Sequence, residues 1–347
     1  MRMNKSGPRF SLIKSCLFIG ISFIILGMNN VKVYADSSES AYSVSANLPS
    51  FQNNKKLSYF DLLLKPSQKE QVSIHIKNNS QEKATYLVDV NNAVTNSNGV
   101  IDYGQKNVKK DVSADYVLNQ LVSPETQEVI LQPGEAKDIP FQIKMPKQAF
   151  TGIILGGIHI TKKDTLSKKV SGTAIRNKYA YVIGMKLETN TNKVTPDLKL
   201  LAARPGLENS YTTIFANVQN PTPTIISKVS FDATITKKGS KKVLYKSKKE
   251  NMSIAPNTNF NFPIGLNKEK ITPGNYTVTI DAKEGTTNKT WHLTTDFEIQ
   301  AKKAEKINKK AVLENKGVPY LPIIIVVGLL LIGIILVLSY KLLKQKK

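Results

Sequence analysis

Cysteine is almost missing from the 347 residues: the single one, Cys16, lies close to the N-terminus. Beyond it the chain can form no disulfide framework, no cysteine metal cage and no cysteine nucleophile. Histidine is nearly as scarce. His75, His159 and His292 sit in alternating strand text with no metal-ligand spacing among them, and each reads as a solvent-facing or satisfied strand residue. No GxSxG elbow or phosphate-binding glycine loop occurs; Gly156 and Gly157 fall inside an apolar strand, where they mark a bulge or a close backbone approach. The run "DVNNAVTNSNGVID" misses calcium-loop spacing, and its "SNG" reads as a hairpin turn. With no cofactor or metal motif, the sequence points away from an enzyme. Carboxylates converging from distant strands stay open as a catalytic device.

The two ends carry the long apolar runs. Residues 1–35 combine Arg2, Lys5, Arg9 and Lys14 with the apolar stretch Cys16–Met28 and end on Val33–Ala35, the layout of a cleaved export leader. Leu321–Ser339 holds no charge and approaches the roughly 20 apolar residues that cross a bilayer. Lys341, Lys344, Lys346 and Lys347 follow it, a basic tail of the kind that stays cytoplasmic. The expectation is a single-pass cell-membrane protein, transmembrane over residues 319–340, with its body outside and residues 341–347 inside.

Helical periodicity is scarce in between. Only "SADYVLNQL", Ser113–Leu121, suggests a helix, with Ser113 as N-cap. Period-two segments dominate, including "VSIHI", "TYLVDV", "IPFQIKM", "IILGGIHI", "YVIGMKL", "YTTIFANV", "SFDATI" and "YTVTIDA", separated by Pro, Gly and Asn. The fold class is therefore all-β: two tandem Ig-like β-sandwich domains plus the C-terminal membrane helix. Gly152–Thr161 pairs with Tyr179–Glu188 as the last hairpin of the first domain, which places the linker at Thr189–Pro196. The domains then run over residues 36–193 and 194–300, with 301–318 as a charged stalk. Trp291, the only tryptophan, alternates with Leu293 and is assigned to the core.

One figure recurs. "KPSQKEQVSIHIK", Lys65–Lys77, returns as "QPGEAKDIPFQIK", Gln132–Lys144, each with Pro followed by Ser or Gly and then alternating apolar residues. Looser copies follow Pro256 and Pro273. Proline fixes its own φ and the next residue completes a turn, so the figure is a device for entering a strand rather than a ligand motif.

Net charge is +23 at pH 7, yet residues 36–162 carry as many acids as bases. The excess concentrates in a loop, Lys162, Lys163, Lys168, Lys169, Arg176 and Lys178, and in a hairpin, Lys237, Lys238, Lys241, Lys242, Lys246, Lys248 and Lys249. Either run is a solvated face or an attraction for anions such as teichoic acid phosphates, lipid headgroups or acidic proteins. In the hairpin, Ile235, Val243 and Tyr245 are assigned to the core side. Nucleic acid is not expected, because aromatic interleaving is absent.

The segments "SYFDLLLKPSQKEQVSIHIKNNS", "NNAVTNSNGVIDYG", "LQPGEAKDIPFQIKMPKQAFTGIILGGIHI", "NKYAYVIGMKL" and "ITPGNYTVTI", with the stretch 218–266, together resemble the WxL-interacting protein family of Gram-positive bacteria. The resemblance covers nearly the whole chain after the leader. It implies an N-terminal peptidoglycan-binding domain, a C-terminal domain that binds host factors, a membrane anchor and partnership with WxL-domain surface proteins. It also implies an earlier end of the first domain, near Lys163. The reading is a non-enzymatic surface scaffold or adhesion protein; the alternative is a wall-modifying hydrolase or an assembly chaperone.

Overall fold

A computed structural model describes residues 41–163, 179–313 and 320–345. The leader, and Lys168, Lys169, Arg176 and Lys178 of the basic loop, lie outside the described residues. The described chain is all-β, with three helices.

Alternation builds the first sheet pair. Strand β1 is Tyr42–Asn47, β2 Phe60–Leu63, β3 Lys69–Asn78, β4 Ala84–Asn92, β7 Val122–Ser123, β8 Thr126–Leu131, β9 Ala136–Lys144, β10 Ile154–Lys162 and β11 Ala180–Glu188. They form a four-stranded sheet in the order β1-β3-β9-β7 and a five-stranded sheet in the order β2-β11-β10-β4-β8. Two short strands, β5 Val94–Thr95 and β6 Ile101–Asp102, make a hairpin on the "SNG" turn, with Gly99 at φ 67. Val72, Ile74 and Ile76 of one sheet and Val88, Val90, Ile158 and Ile160 of the other are all buried. Tyr42 ties the sheets together: its hydroxyl donates to the carbonyls of Ile160 and Tyr179 at 3.0 and 2.9 Å. Burial, then the phenols of Tyr181 and Tyr86, push its pKa up to about 12.

The two copies of the recurring figure are hydrogen-bonded neighbours. β3 and β9 pair antiparallel from Lys69↔Lys144 to Lys77↔Ala136 at the centre of the four-stranded sheet. Ser67 and Gly134, the residues after the prolines, have φ of 60 and 74. The turns close through Gln68 N to Lys65 O and Glu135 N to Gln132 O, both 3.1 Å. Proline followed by a left-handed residue is the type II geometry. Asn257, after Pro256, repeats it at φ 47.

The second pair consists of β12 Lys199–Glu208, β13 Tyr211–Asn220 and β16 Thr258–Gly265 in one sheet, facing β15 Val243–Ile254, β14 Ile226–Lys237, β17 Gly274–Glu284 and β18 Thr290–Ile299 in the other. Both contribute to one cluster that includes Val218, Phe231, Phe262, Val278 and Trp291. Trp291 packs there while its indole N–H donates to Asp197 Oδ1 at 3.0 Å. The charged segment after 300 begins as a helix, Ala301–Asn308, whose Ala304 and Ile307 join that cluster. Asn308 fixes it by exchanging hydrogen bonds with the backbone of Ile271.

Two local expectations change, and at Gly156–Gly157 the structure decides between the two alternatives. The helix expected over 113–121 is only Leu118–Leu121, with Val117 as an N-cap lacking a side-chain bond, because Ser113 is held in the preceding loop by Asp111. No bulge exists at Gly156–Gly157, since the register runs unbroken on both sides. Close approach is the reason for these glycines: a Cβ at 156 would lie 2.5 Å from Leu118, and one at 157 would lie 3.2 Å from Tyr103. Val243 does not face the core; it is 48% exposed, because the register slips between Ile235 and Thr236.

The last helix, Tyr320–Gln345, is 26 residues long, with side chains described over 325–337. Among the described residues no helix is long and apolar enough to cross a membrane.

Candidate functional site at the junction of the two sheet pairs

The loop from Tyr103 to Val117 leaves the β5–β6 hairpin and meets the second sheet pair. Asp111 is its anchor. Gln219 Nε2 and Asn259 Nδ2 donate to its carboxylate at 2.7 and 2.5 Å, and Ser113 adds its backbone N–H and hydroxyl at 2.8 and 2.7 Å. Burial alone would push this carboxyl upward, but the bonds from Ser113, Asn259 and Gln219 outweigh it and hold the pKa below the ordinary value. Asn257 donates to the Ser113 carbonyl and to Pro221 O at 2.8 and 3.0 Å. Its left-handed backbone after Pro256 turns the amide this way.

Main-chain bonds complete the junction. Ile153 N reaches Pro223 O at 2.7 Å, Ser253 N reaches Gly99 O at 2.8 Å, and Ala255 N reaches Thr95 Oγ1 at 2.9 Å. Gly99 and Gly152 both have positive φ, and a Cβ would strike Met252 at the first and Pro223 at the second. The two bodies therefore touch at backbone distance and hold a fixed relation.

Beside this clamp is a cavity of about 490 Å³. Its floor is apolar, with Val94, Ala114, Val117, Ile154 and Leu155, and the exposed Lys109, Lys110, Val112 and Leu201 stand at its mouth. Val112 is 95% exposed. A second cavity, of about 500 Å³, lies on the other side of Tyr116, whose ring packs 6.2 Å from Phe150. Volumes in this range suit small ligands.

The expected basic hairpin is present but partly engaged. Lys237 lies over the Tyr276 ring at 4.6 Å, Lys238 pairs with Asp296 at 2.9 Å, Lys248 with Glu250 at 2.7 Å, and Lys249 donates to Asn98 Oδ1 at 3.0 Å. Lys241, Lys242 and Lys246 are not so engaged. Of the basic loop, Lys162 ends β10 and Lys163 pairs with Glu128 at 2.6 Å. Hairpin and junction meet along β15, where Lys249 donates to Asn98 and Ser253 N to Gly99 O.

His75 and His292 are paired with Asp138 and Asp281 at 2.7 and 2.6 Å. His159 differs: its Nδ1 is buried without a hydrogen-bond partner, and burial lowers its pKa. Among the described residues no group of three or more His, Cys, Asp or Glu could hold a metal ion.

Sequence reasoning missed Asp111, Gln219 and Asn259. Nothing in their local text separates them from ordinary loop and strand polars; the one usable signal was the Pro256–Asn257 turn.

An all-β chain with two sheet pairs, a fixed junction and an open cavity has the organisation of a binding protein. Comparison with known families bears this out: residues 42–162 match the profile "WxL Interacting Protein, peptidoglycan binding domain", and residues 170–309 match "WxL Interacting Protein, host binding domain". The chain belongs to the WxL-interacting protein family. Both matched domains are binding domains. The second match begins before β11, although β11 is bonded to β10 and β2 of the first pair.

No curated protein matches the chain. Among solved structures, the YadV chaperone is 12% identical at a TM-score of 0.26, covering 74% of this chain and 100% of that one. The E. coli chaperone DraB is 12% identical at 0.27, covering 75% and 97%, and the Pseudomonas aeruginosa CupB2 chaperone 14% at 0.23, covering 69% and 97%. Likenesses this low carry no functional argument.

Proposed function

We propose that the protein is a non-enzymatic surface scaffold, built as two tandem Ig-like β-sandwich domains and anchored in the cell membrane by one C-terminal helix. Its first domain binds peptidoglycan, its second binds host factors, and the assembly takes WxL-domain surface proteins as partners. The observation that carries this reading is the order of parts along one chain. A wall-binding match comes first, a host-binding match second, then the docked helix 301–308, then a helix whose apolar side chains from Ile325 to Val337 stand exposed. Such a surface is costly in water and suited to lipid. The lysines after residue 340 place the C-terminus in the cytoplasm, and residues 1–35 serve as the leader.

Lys241, Lys242 and Lys246, with the paired lysines around them, form the face offered to anionic partners, teichoic acid included; Lys162 and Lys163 begin a second basic region. The testing experiment is co-sedimentation of the purified full chain with intact sacculi, followed by analysis of the supernatant. The scaffold reading expects bound protein and no soluble muropeptides. Release of muropeptides would show a hydrolase instead.

A further inference from the structure

We infer that the junction cavity is a subsite for the peptide stem of peptidoglycan, a short peptide with small apolar side chains and a free carboxylate. The inference rests on the peptidoglycan-binding reading and says which part of that polymer is held, and where.

Location comes first. Asn92–Val94, Val108–Ala114, Tyr116–Val117 and Ile153–Leu155, most of the lining, belong to the segment matched as peptidoglycan-binding. Leu201, Gln219 and Pro256–Asn259 close the cavity from the second sheet pair.

Chemistry selects the ligand. A sugar ring needs side-chain donors and acceptors free to meet its hydroxyls, but the amides in this wall are already engaged. Asn92 and Asn119 exchange two hydrogen bonds at 3.0 Å, Gln219 and Asn259 are spent on Asp111, and Asn257 on Ser113 and Pro221. Beside the remaining amide groups and the hydroxyls of Tyr116 and Thr258, the lining offers a ligand apolar surface and positive charge. The floor of Val, Ala, Ile and Leu accepts methyl groups. At the mouth, Lys109 has no carboxylate partner among the described residues, and Lys110 donates only to the Asp115 carbonyl, at 3.1 Å. Asp111 also lines the cavity, held as a carboxylate by four donated hydrogen bonds, and against it Lys109 and Lys110 leave the charged lining net positive. An apolar slot of about 490 Å³ with cations at its rim fits a peptide ending in a carboxylate better than a glycan.

The test uses the purified full chain, intact sacculi, and the glycan strands left when an amidase removes the stem peptides, fixed to beads because they no longer form a sedimenting network. Two variants are compared with wild type: the double change Lys109→Gln with Lys110→Gln, and Val112→Asp, which places an anion at a fully exposed rim position. Unchanged thermal melts confirm their fold. Wild type is expected to bind stripped glycan roughly tenfold more weakly than intact sacculi, the size of one lost charge-assisted contact. Both variants should show a similar loss on intact sacculi and no further loss on stripped glycan. Stem peptides released by the amidase should compete wild type away. Equal binding to stripped glycan and intact sacculi, or full binding by both variants, overturns the inference while leaving peptidoglycan binding in place. Failure of wild type to bind either material overturns the wall-binding reading itself, and the subsite with it.

Discussion

On the outer face of the five-stranded sheet, Lys186 stands between Asp61 and Glu188 at 2.7 and 2.9 Å, under a loop whose Gln52 accepts from the Asp61 N–H. Asp61 is 3% exposed, and Asp89, three strands away on β4, is buried against Lys106. The outer face of the second sheet pair is built differently. There Thr234, Thr279 and Thr294 are register neighbours, and Asp281–His292 and Lys238–Asp296 meet in open solvent. A buried charge that loses its partner costs far more than an exposed pair contributes, because water no longer solvates the orphan. On these outer faces the first body therefore ties itself with buried charge pairs where the second exposes its own, although the second does bury one carboxylate, Glu284, held by the Thr286 and Thr287 backbone N–H groups.

The strongest way to break this contrast is to cut the chain. A piece ending at residue 162 lacks β11, and with it the buried Met185 and Leu187 and the cation that neutralises Asp61. It is expected to be unfolded by circular dichroism, whereas residues 36–193 give a cooperative melt. In the second body, residues 194–313 should melt well above 194–300, which lacks Ala304 and Ile307. Equal behaviour of the first pair would show that the matched boundary, rather than the strand pairing, defines the first folding unit; equal melts of the second pair would show that the helix 301–308 adds nothing to the core.

Next comes Lys186→Met. Stranding Asp61 should cost about 3 kcal/mol, read as a lowered denaturation midpoint, while Lys248→Gln on the open face leaves the midpoint unchanged.

Asp111 sharpens the comparison at the junction itself. Its folded pKa lies below the ordinary aspartate value. The stabilisation it supplies is therefore complete above about that unfolded value and is lost as pH falls through the lower folded one. Asp111→Asn should cost about 1–2 kcal/mol at pH 7. It should also remove this contribution to acid destabilisation, so that the gap between mutant and wild-type melts narrows as pH falls below the ordinary aspartate value. A gap that stays constant on acidification would show that the carboxylate charge is irrelevant. The smallest effect belongs to Lys241, Lys242 and Lys246: changing them to Gln should leave the melt unaltered and weaken teichoic acid binding only at low salt. Unaltered binding would make the hairpin a solvated face.

What the sequence disclosed was whatever period two and turn chemistry encode. Alternation at Val72–Ile76 and Ile139–Ile143, proline followed by a left-handed residue, and the "SNG" hairpin all depend on neighbours a few positions away, so they can be read locally. The slip beside Val243 could not, because it is decided by how β14 and β15 pair. Nor could the junction, where Asp111 meets Gln219 and Asn259 across more than a hundred residues, through side-chain types common in any loop. The short helix failed for the same reason: Ser113, a good N-cap in isolation, is claimed by a loop that the second body holds.

β2 and β11 run parallel, paired from Phe60↔Met185 to Leu63↔Glu188. They lie near the start and at the end of the first body, so tension that draws the N-terminal end of β2 away from the C-terminal end of β11 acts along the strands. Their ladder then resists as one unit in shear, instead of opening one rung at a time. Pulled at its two ends, a domain threaded in this way would behave as a stiff link rather than a slack leash.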